Sequence, residues 1–250
     1  MRTTDQSRFR VYRPDPMPQL RLVCFPHAGG SASFYRSWIE HLPDGTELAI
    51  AIYPGREDRL VDAHPETLQA LAEEFAAAMP QGVPTVLLGH SMGAAVAFEV
   101  ARRCARTPQR LIVSGHPPPH RLRPNDVHLR SGAGLLAELH SLGGVSAALF
   151  EHAEIRELML PMIRADYRLI ERYLPGPLTP LPIPITAVIS LDDPEISEDE
   201  ARSWQDCTVA GFDLHAMPGN HFALVERPHE FIGWLATLLP TAELSWPSTP

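Results

Sequence analysis

The sequence predicts an α/β protein built on one mainly parallel sheet, and three observations carry that expectation. Short, unbroken apolar runs rich in Val, Ile and Leu recur along the chain, as suits strands covered on both faces. Segments with helical spacing lie between them, giving a βαβα alternation. The 250 residues, with 44% hydrophobic and 20% charged content, are sufficient for one large core.

The elements follow in order. The apolar runs are LRLVCF (20–25), ELAIAIYP (47–54), TVLLGH (85–90), RLIVSGH (110–116), ITAVISL (185–191) and FDLHAMPG (212–219). Helical character is expected in FYRSWIEHL after the first run, TLQALAEEFAAAM before the third, AAVAFEVARRCAR after it and PHEFIGWLATLL near the end. Thr67, Leu68, Leu71 and Phe75 approximate one helical face, with Glu73 and Glu74 on a polar one. From about 131 to 174 the alternation breaks. Helical periodicity continues there without a strand, and the proline-stiffened LPGPLTPLPIPI returns the chain to the sheet, so the interval is read as a helical insertion over the sheet's edge. The expected organisation is one domain over 1–250, with this insertion and a frayed tail from about 240 to 250.

A formal net charge of -9 argues against non-specific attraction to nucleic acid or an anionic membrane. Cys24, Cys104 and Cys207 are odd in number and lack CxxC spacing, which disfavours a disulfide framework or a structural zinc site. The N-terminal stretch lacks an apolar core of signal-peptide length, and no apolar run is long enough to span a bilayer; a cytoplasmic protein is expected.

The chemistry starts at TVLLGHSMGAAVAF (85–98), where a strand becomes a helix at Gly-His-Ser-Met-Gly. A serine at such a sharp turn needs an unusual backbone conformation. Gly89 and Gly93, two residues to either side of Ser91, remove side chains that would collide with the crossing strand and helix. The pattern reads as a nucleophile elbow, with the Met92 N–H at the helix start able to hold an oxyanion.

A serine hydroxyl needs a base, and the base needs an orienting carboxylate, in the chain order Ser, acid, His. SLDDPEIS follows the fifth run and offers Asp193, with Asp192 as the alternative; the strand's C-terminal end is where open α/β sheets place ligand sites. MPGNHFALVERP follows the sixth run and offers His221, preferred over His215 within the last strand and His229 at the last helix. A second oxyanion donor is expected from FPHAGGSASFY after the first run, at the Ala28 N–H, with His27 beside it lining the site.

FPHAGGSASFYRSW, YPGREDR, LLGHSMGA, LMLPMIRADYRLIERY, DDPEIS and GNHFAL together resemble, in order and separation, the type II thioesterases of polyketide and nonribosomal peptide assembly lines. The similarity covers roughly residues 18 to 239. It implies an α/β-hydrolase fold with a helical lid, and hydrolysis of acyl thioesters from the phosphopantetheine arm of acyl or peptidyl carrier proteins. It also implies Ser91 as nucleophile, Asp193 as acid, His221 as base, and Ala28 and Met92 as oxyanion donors. No metal or organic cofactor is expected, since the pantetheine belongs to the carrier. Two departures are Ser190-Leu191 where glycine often precedes the acid, and PGNH where a second glycine is common.

In the insertion Leu135, Leu136, Leu139, Ile155, Leu158, Met159, Met162 and Ile163 form apolar faces that pack on the body or face an acyl chamber. Met159 and Met162 are expected to line that chamber, because thioether side chains adapt in shape. SGHPPPHRLRP after the fourth run is read as a rigid surface loop, with a pocket wall as the alternative. Arg102, Arg103, Arg106, Arg121, Arg123 and Arg130 are candidates for docking an acidic carrier, and a monomer is expected. Competing readings are a serine esterase, an acyltransferase and a non-catalytic binding protein of the same fold.

Overall fold

The computed structural model describes residues 8–12, 14–143 and 152–239. Six strands fall on the six apolar runs: β2 (Leu20–Phe25), β3 (Thr46–Ala51), β4 (Thr85–His90), β5 (Arg110–Ser114), β6 (Ile185–Ser190) and β7 (Phe212–Met217). A seventh, β1 (Phe9–Tyr12), precedes them, and the sheet order is β1-β3-β2-β4-β5-β6-β7. Every neighbouring pair is parallel except β1 with β3. The first strand was not legible in FRVY because an edge strand needs one ladder and one covered face. Its single large anchor is Phe9, whose ring meets Phe25 at 6.5 Å and Phe75 at 5.3 Å.

The inner strands are covered on both faces, and their residues alternate between two cores. In β2, Leu22 and Cys24 face a layer with Trp38, Phe231 and Ile232, whereas Val23 and Phe25 face a layer with Phe75, Phe98 and Trp204. That second layer contains helices α1 (Leu68–Ala78) and α2 (Met92–Ala101). Helix α2 buries every residue from Met92 to Val100, so it carries almost no polar face.

The segment after β2, expected to be helical, is a 3-10 helix over Ala32–Glu40. Its buried residues Ala32, Tyr35 and Trp38 recur every third position, the period of three residues per turn. The insertion contains α3 (Gly132–Ser141) and α4 (Ala153–Glu171), with residues 144–151 between them outside the described residues. Leu135 of α3 and Ile163 of α4 form a small third core with Val127. The chain then forms α5 (Glu198–Arg202), α6 (Ala223–Glu226) and α7 (Pro228–Leu238), the last on the expected terminal segment. The tail expected to fray lies outside the described residues. Among those residues no helix is long and apolar enough to cross a membrane.

The turn from β4 into α2 is the tightest packing in the sheet. A Cβ on Gly93 would stand 1.9 Å from the Phe25 carbonyl oxygen, and one on Gly89 would stand 2.1 Å from the Gly93 carbonyl oxygen. Gly93→Ala therefore destabilises the protein by about 3 kcal/mol or more, because backbone on both sides must move. Gly176→Ala, with nothing within 4 Å, stays within about 0.5 kcal/mol of the parent. Urea midpoints of the two variants check this; equal midpoints contradict it.

Candidate active site

Ser91 occupies the turn with φ 54° and ψ -127°, a backbone conformation rarely adopted by side chains with a Cβ. Its own N–H donates to the Ser114 carbonyl at 2.7 Å, and its carbonyl accepts from Ala94 N–H at 2.8 Å, which holds the strained residue from both sides. Ser91, Ala28 and Met92 all line a cavity of about 350 Å³ at the C-terminal edge of the sheet. The Ala28 and Met92 amides donate no hydrogen bond to any described residue. Two free N–H groups thus border the space beside the serine, as an oxyanion site requires.

Asp193 and His221 are brought together by a continuation of the β6–β7 ladder. Leu191 N–H donates to the Met217 carbonyl at 2.9 Å and Asp192 N–H to the Gly219 carbonyl at 3.0 Å, so the two loops leave the sheet in register. His221 Nδ1 donates to Asp193 Oδ2 at 2.8 Å and lies 3.0 Å from Oδ1. Both side chains are 1% exposed. Asp192 points outward and is exposed, so Asp193 is the carboxylate that meets the imidazole. With its proton at Nδ1, the ring presents a lone pair at Nε2, a buried atom with no partner. Ser91 and His221 are not hydrogen-bonded in this structure; the ring lies against residues flanking the serine. Its centroid is 4.7 Å from that of His90, and a Cβ on Gly115 would meet His221 Cε1 at 2.9 Å.

Three further histidines surround this ring. His90 is fully buried, and burial, reinforced by His221 and His27, holds its pKa well below the usual imidazole value. Burial also lowers His27 to about 3 and His116 to about 4. His116 donates from Nδ1 to the Pro117 carbonyl at 2.8 Å, and its own carbonyl accepts from Trp204 Nε1 at 2.9 Å. His27 and His90 are neutral packing elements, and His116 is a neutral ring at the cavity wall.

Several expected positions differ. His27 does not line the cavity: its ring packs edge-on against Phe34 at 5.0 Å and Phe222 at 4.8 Å, beneath the loop it belongs to. Met159 and Met162 also stay out, packing with Val127, Leu135 and Ile163. Both lie at least one turn N-terminal to Tyr167, where α4 runs over α3; the cavity wall begins at Tyr167 and continues with Ile170 and Glu171. SGHPPPHRLRP supplies Gly115, His116 and Leu122 to that wall, so it is more than a surface loop. Among the docking candidates, Arg102 and Arg103 pair with Glu99, Arg121 with Asp199, Arg123 with Glu200 and Arg130 with Glu138.

Sequence reasoning did not single out Arg56 and Asp166. Both are buried, and they join in an ion pair beside the Ala28 loop. Their local sequences, YPGREDR and RADYRLIERY, hold other charged residues on either side and do not set these two apart.

A serine on a strand–turn–helix elbow, with a buried imidazole–carboxylate pair on later loops of a doubly covered parallel sheet, defines a protein of the α/β-hydrolase fold. The chain belongs to the thioesterase family: the family model described as "Thioesterase domain" matches residues 20–238. It is 39% identical over 223 residues to a probable cadicidin biosynthesis thioesterase of Streptomyces griseus, covering 87% of this chain and 62% of that protein. It is 37% identical over 228 residues to the thioesterase PikA5 of Streptomyces venezuelae, covering 88% of this chain and 81% of the other. The solved structure of BorB, the type II thioesterase from the borrelidin biosynthetic cluster, superposes with a TM-score of 0.83 at 38% identity, covering 94% of this chain and 98% of that one.

The buried histidines set an acid sensitivity. A pKa lowered on folding means that the native state binds fewer protons than the unfolded chain below the ordinary value of 6.5. Stability is therefore fully present above pH 6.5 and falls as pH drops toward about 4 for His116 and about 3 for His27. Each such residue contributes up to about 1.4 kcal/mol per pH unit to the loss. The urea midpoint is lower at pH 5 than at pH 7.5; an unchanged midpoint contradicts neutral burial.

Proposed function

We propose that the enzyme hydrolyses acyl thioesters carried on the phosphopantetheine arm of acyl or peptidyl carrier proteins of a polyketide or nonribosomal peptide synthase, in an editing role. The single observation that carries the reading is the buried Asp193–His221 pair held against the elbow that presents Ser91. The biosynthetic context is supported by what relatives such as BorB are named for.

The mechanism follows from the atoms available. His221 Nε2 takes the Ser91 hydroxyl proton when an acyl group enters and draws serine and imidazole together, an interaction that often tightens only with substrate bound. Asp193 holds the proton at Nδ1 and stabilises the imidazolium. Ser91 Oγ attacks the thioester carbonyl, the Ala28 and Met92 amides receive the oxyanion, and the pantetheine sulfur leaves with the proton from Nε2. Water then attacks the acyl-serine, giving its proton to Nε2, and the carboxylic acid is released as Ser91 is reprotonated. The sequence uses no metal or organic cofactor. Helices α3 and α4 act as the lid, with the Tyr167 end of α4 bounding the acyl group.

The test is release of acyl groups from a panel of acylated carrier proteins, followed by intact mass. The parent clears short acyl groups from carriers and prefers them to matched oxygen esters, while Ser91→Ala loses roughly 10⁴-fold or more in turnover with its fold intact. Full turnover by that variant, or preference for oxygen esters, contradicts the reading. Transfer to an added alcohol or amine in place of hydrolysis identifies an acyltransferase.

A further inference from the structure

The loop that carries Ala28 is gripped from two directions by residues with no part in the chemistry above. From the segment after β3, Tyr53 Oη donates to the Pro26 carbonyl at 3.0 Å, Arg56 donates from one guanidinium nitrogen to the Gly30 carbonyl at 2.8 Å, and Glu57 accepts from Ala32 N–H at 2.7 Å. From α4, Asp166 Oδ2 accepts from Gly29 N–H at 2.8 Å. The other terminal nitrogen of Arg56 reaches both Asp166 oxygens at 2.7 Å, closing a network through two side chains 4% and 1% exposed. Ile163, one turn earlier in α4, stands so close that a Cβ on Gly29 would meet it at 2.6 Å. The bonds therefore fall on both sides of Ala28, and its own N–H has no partner among the described residues.

Backbone strain marks the same segment. Among the described residues, Glu57 (φ 48°) and Ser91 (φ 54°) are the non-glycine residues with positive φ. One carries the proposed nucleophile, and the other follows Arg56 and directs its carboxylate to the Ala28 loop. Strain of this kind persists only where surrounding contacts over-determine it. A buried ion pair is also a poor means of adding stability, since an apolar pair of similar volume commonly does as well.

We propose that Arg56 and Asp166 are positioning residues that lock the Ala28 amide in place for the oxyanion and make that lock depend on the seating of α4. The lid helix and the oxyanion site are then one unit: displacing α4 withdraws Asp166, frees Gly29 N–H and leaves Arg56 unneutralised, and the donor loses its aim. This rests on the function proposed above.

The test uses the full chain with an acyl N-acetylcysteamine thioester and a trifluoromethyl ketone analogue, which forms a tetrahedral adduct on Ser91. Asp166→Asn keeps the size of the side chain but has one acceptor oxygen where two serve Arg56 and Gly29. It lowers kcat by about 10- to 100-fold, weakens the trifluoromethyl ketone by a similar factor and leaves KM within about twofold, because the donor acts mainly on the tetrahedral state. Arg56→Lys keeps the charge and loses the fork, and shifts kcat and analogue affinity together by a smaller factor.

A folded Asp166→Asn with kcat and analogue affinity within twofold of the parent overturns the proposal. So does a rise in KM that accounts for the whole loss. If Asp166→Asn does not fold, Arg56→Lys decides by the same criteria, and failure of both to fold shows a folding requirement in place of a positioning one. An inactive parent contradicts the functional reading itself; an active parent with unaffected variants contradicts this inference alone.

Discussion

The site depends on one close approach, that of the N-terminus of α2 to the end of β2. At Gly93 the helix backbone comes so near the Phe25 and Pro26 carbonyls that no side chain fits between them. The chain leaves β2 at that point through Pro26, His27 and Ala28, and Ala28 and Met92 line one cavity. Ser91 adopts a positive φ as the chain turns from strand to helix, and it lines the same cavity as Ala28 and Met92. A wider spacing of α2 from β2 would relax the serine and separate the donors.

The imidazole and its carboxylate are brought together through sheet register. Two backbone hydrogen bonds beyond the ends of β6 and β7 tie the Asp193 loop to the His221 loop before either side chain is considered. Burial keeps His27, His90 and His116 neutral by desolvation. His221 differs from them in having the Asp193 carboxylate at Nδ1. A single charged partner separates the proposed base from its neighbours.

Much of this was legible in the sequence because it depends on short-range pattern. Unbroken apolar runs located six strands, and glycine spacing around Ser91 located the elbow. FRVY was missed because four residues with one buried anchor give almost no period. The helix after β2 is legible in FYRSWIEHL, but not its 3-10 type, because Tyr35 and Trp38 fit either period over so short a stretch. Met159 and Met162 lie outside the wall of the cavity beside Ser91 for a tertiary reason: periodicity gives the face of α4 but not which end overlies that cavity. Arg56 and Asp166, 110 residues apart, pair only once α4 lies across the loop after β2, and neither local sequence contains that fact. The choice between Asp192 and Asp193, open in the sequence, turns on which carboxylate faces inward, and Asp193 does.

The most direct measurement is peptide mapping after an acid quench. The protein is mixed with an acyl thioester, stopped within the first turnovers and digested, and the peptide carrying residue 91 is weighed. The account requires the acyl mass on Ser91 at early times and its loss as free acid accumulates. Steady hydrolysis with that peptide never modified, or with the acyl group on another side chain, contradicts it.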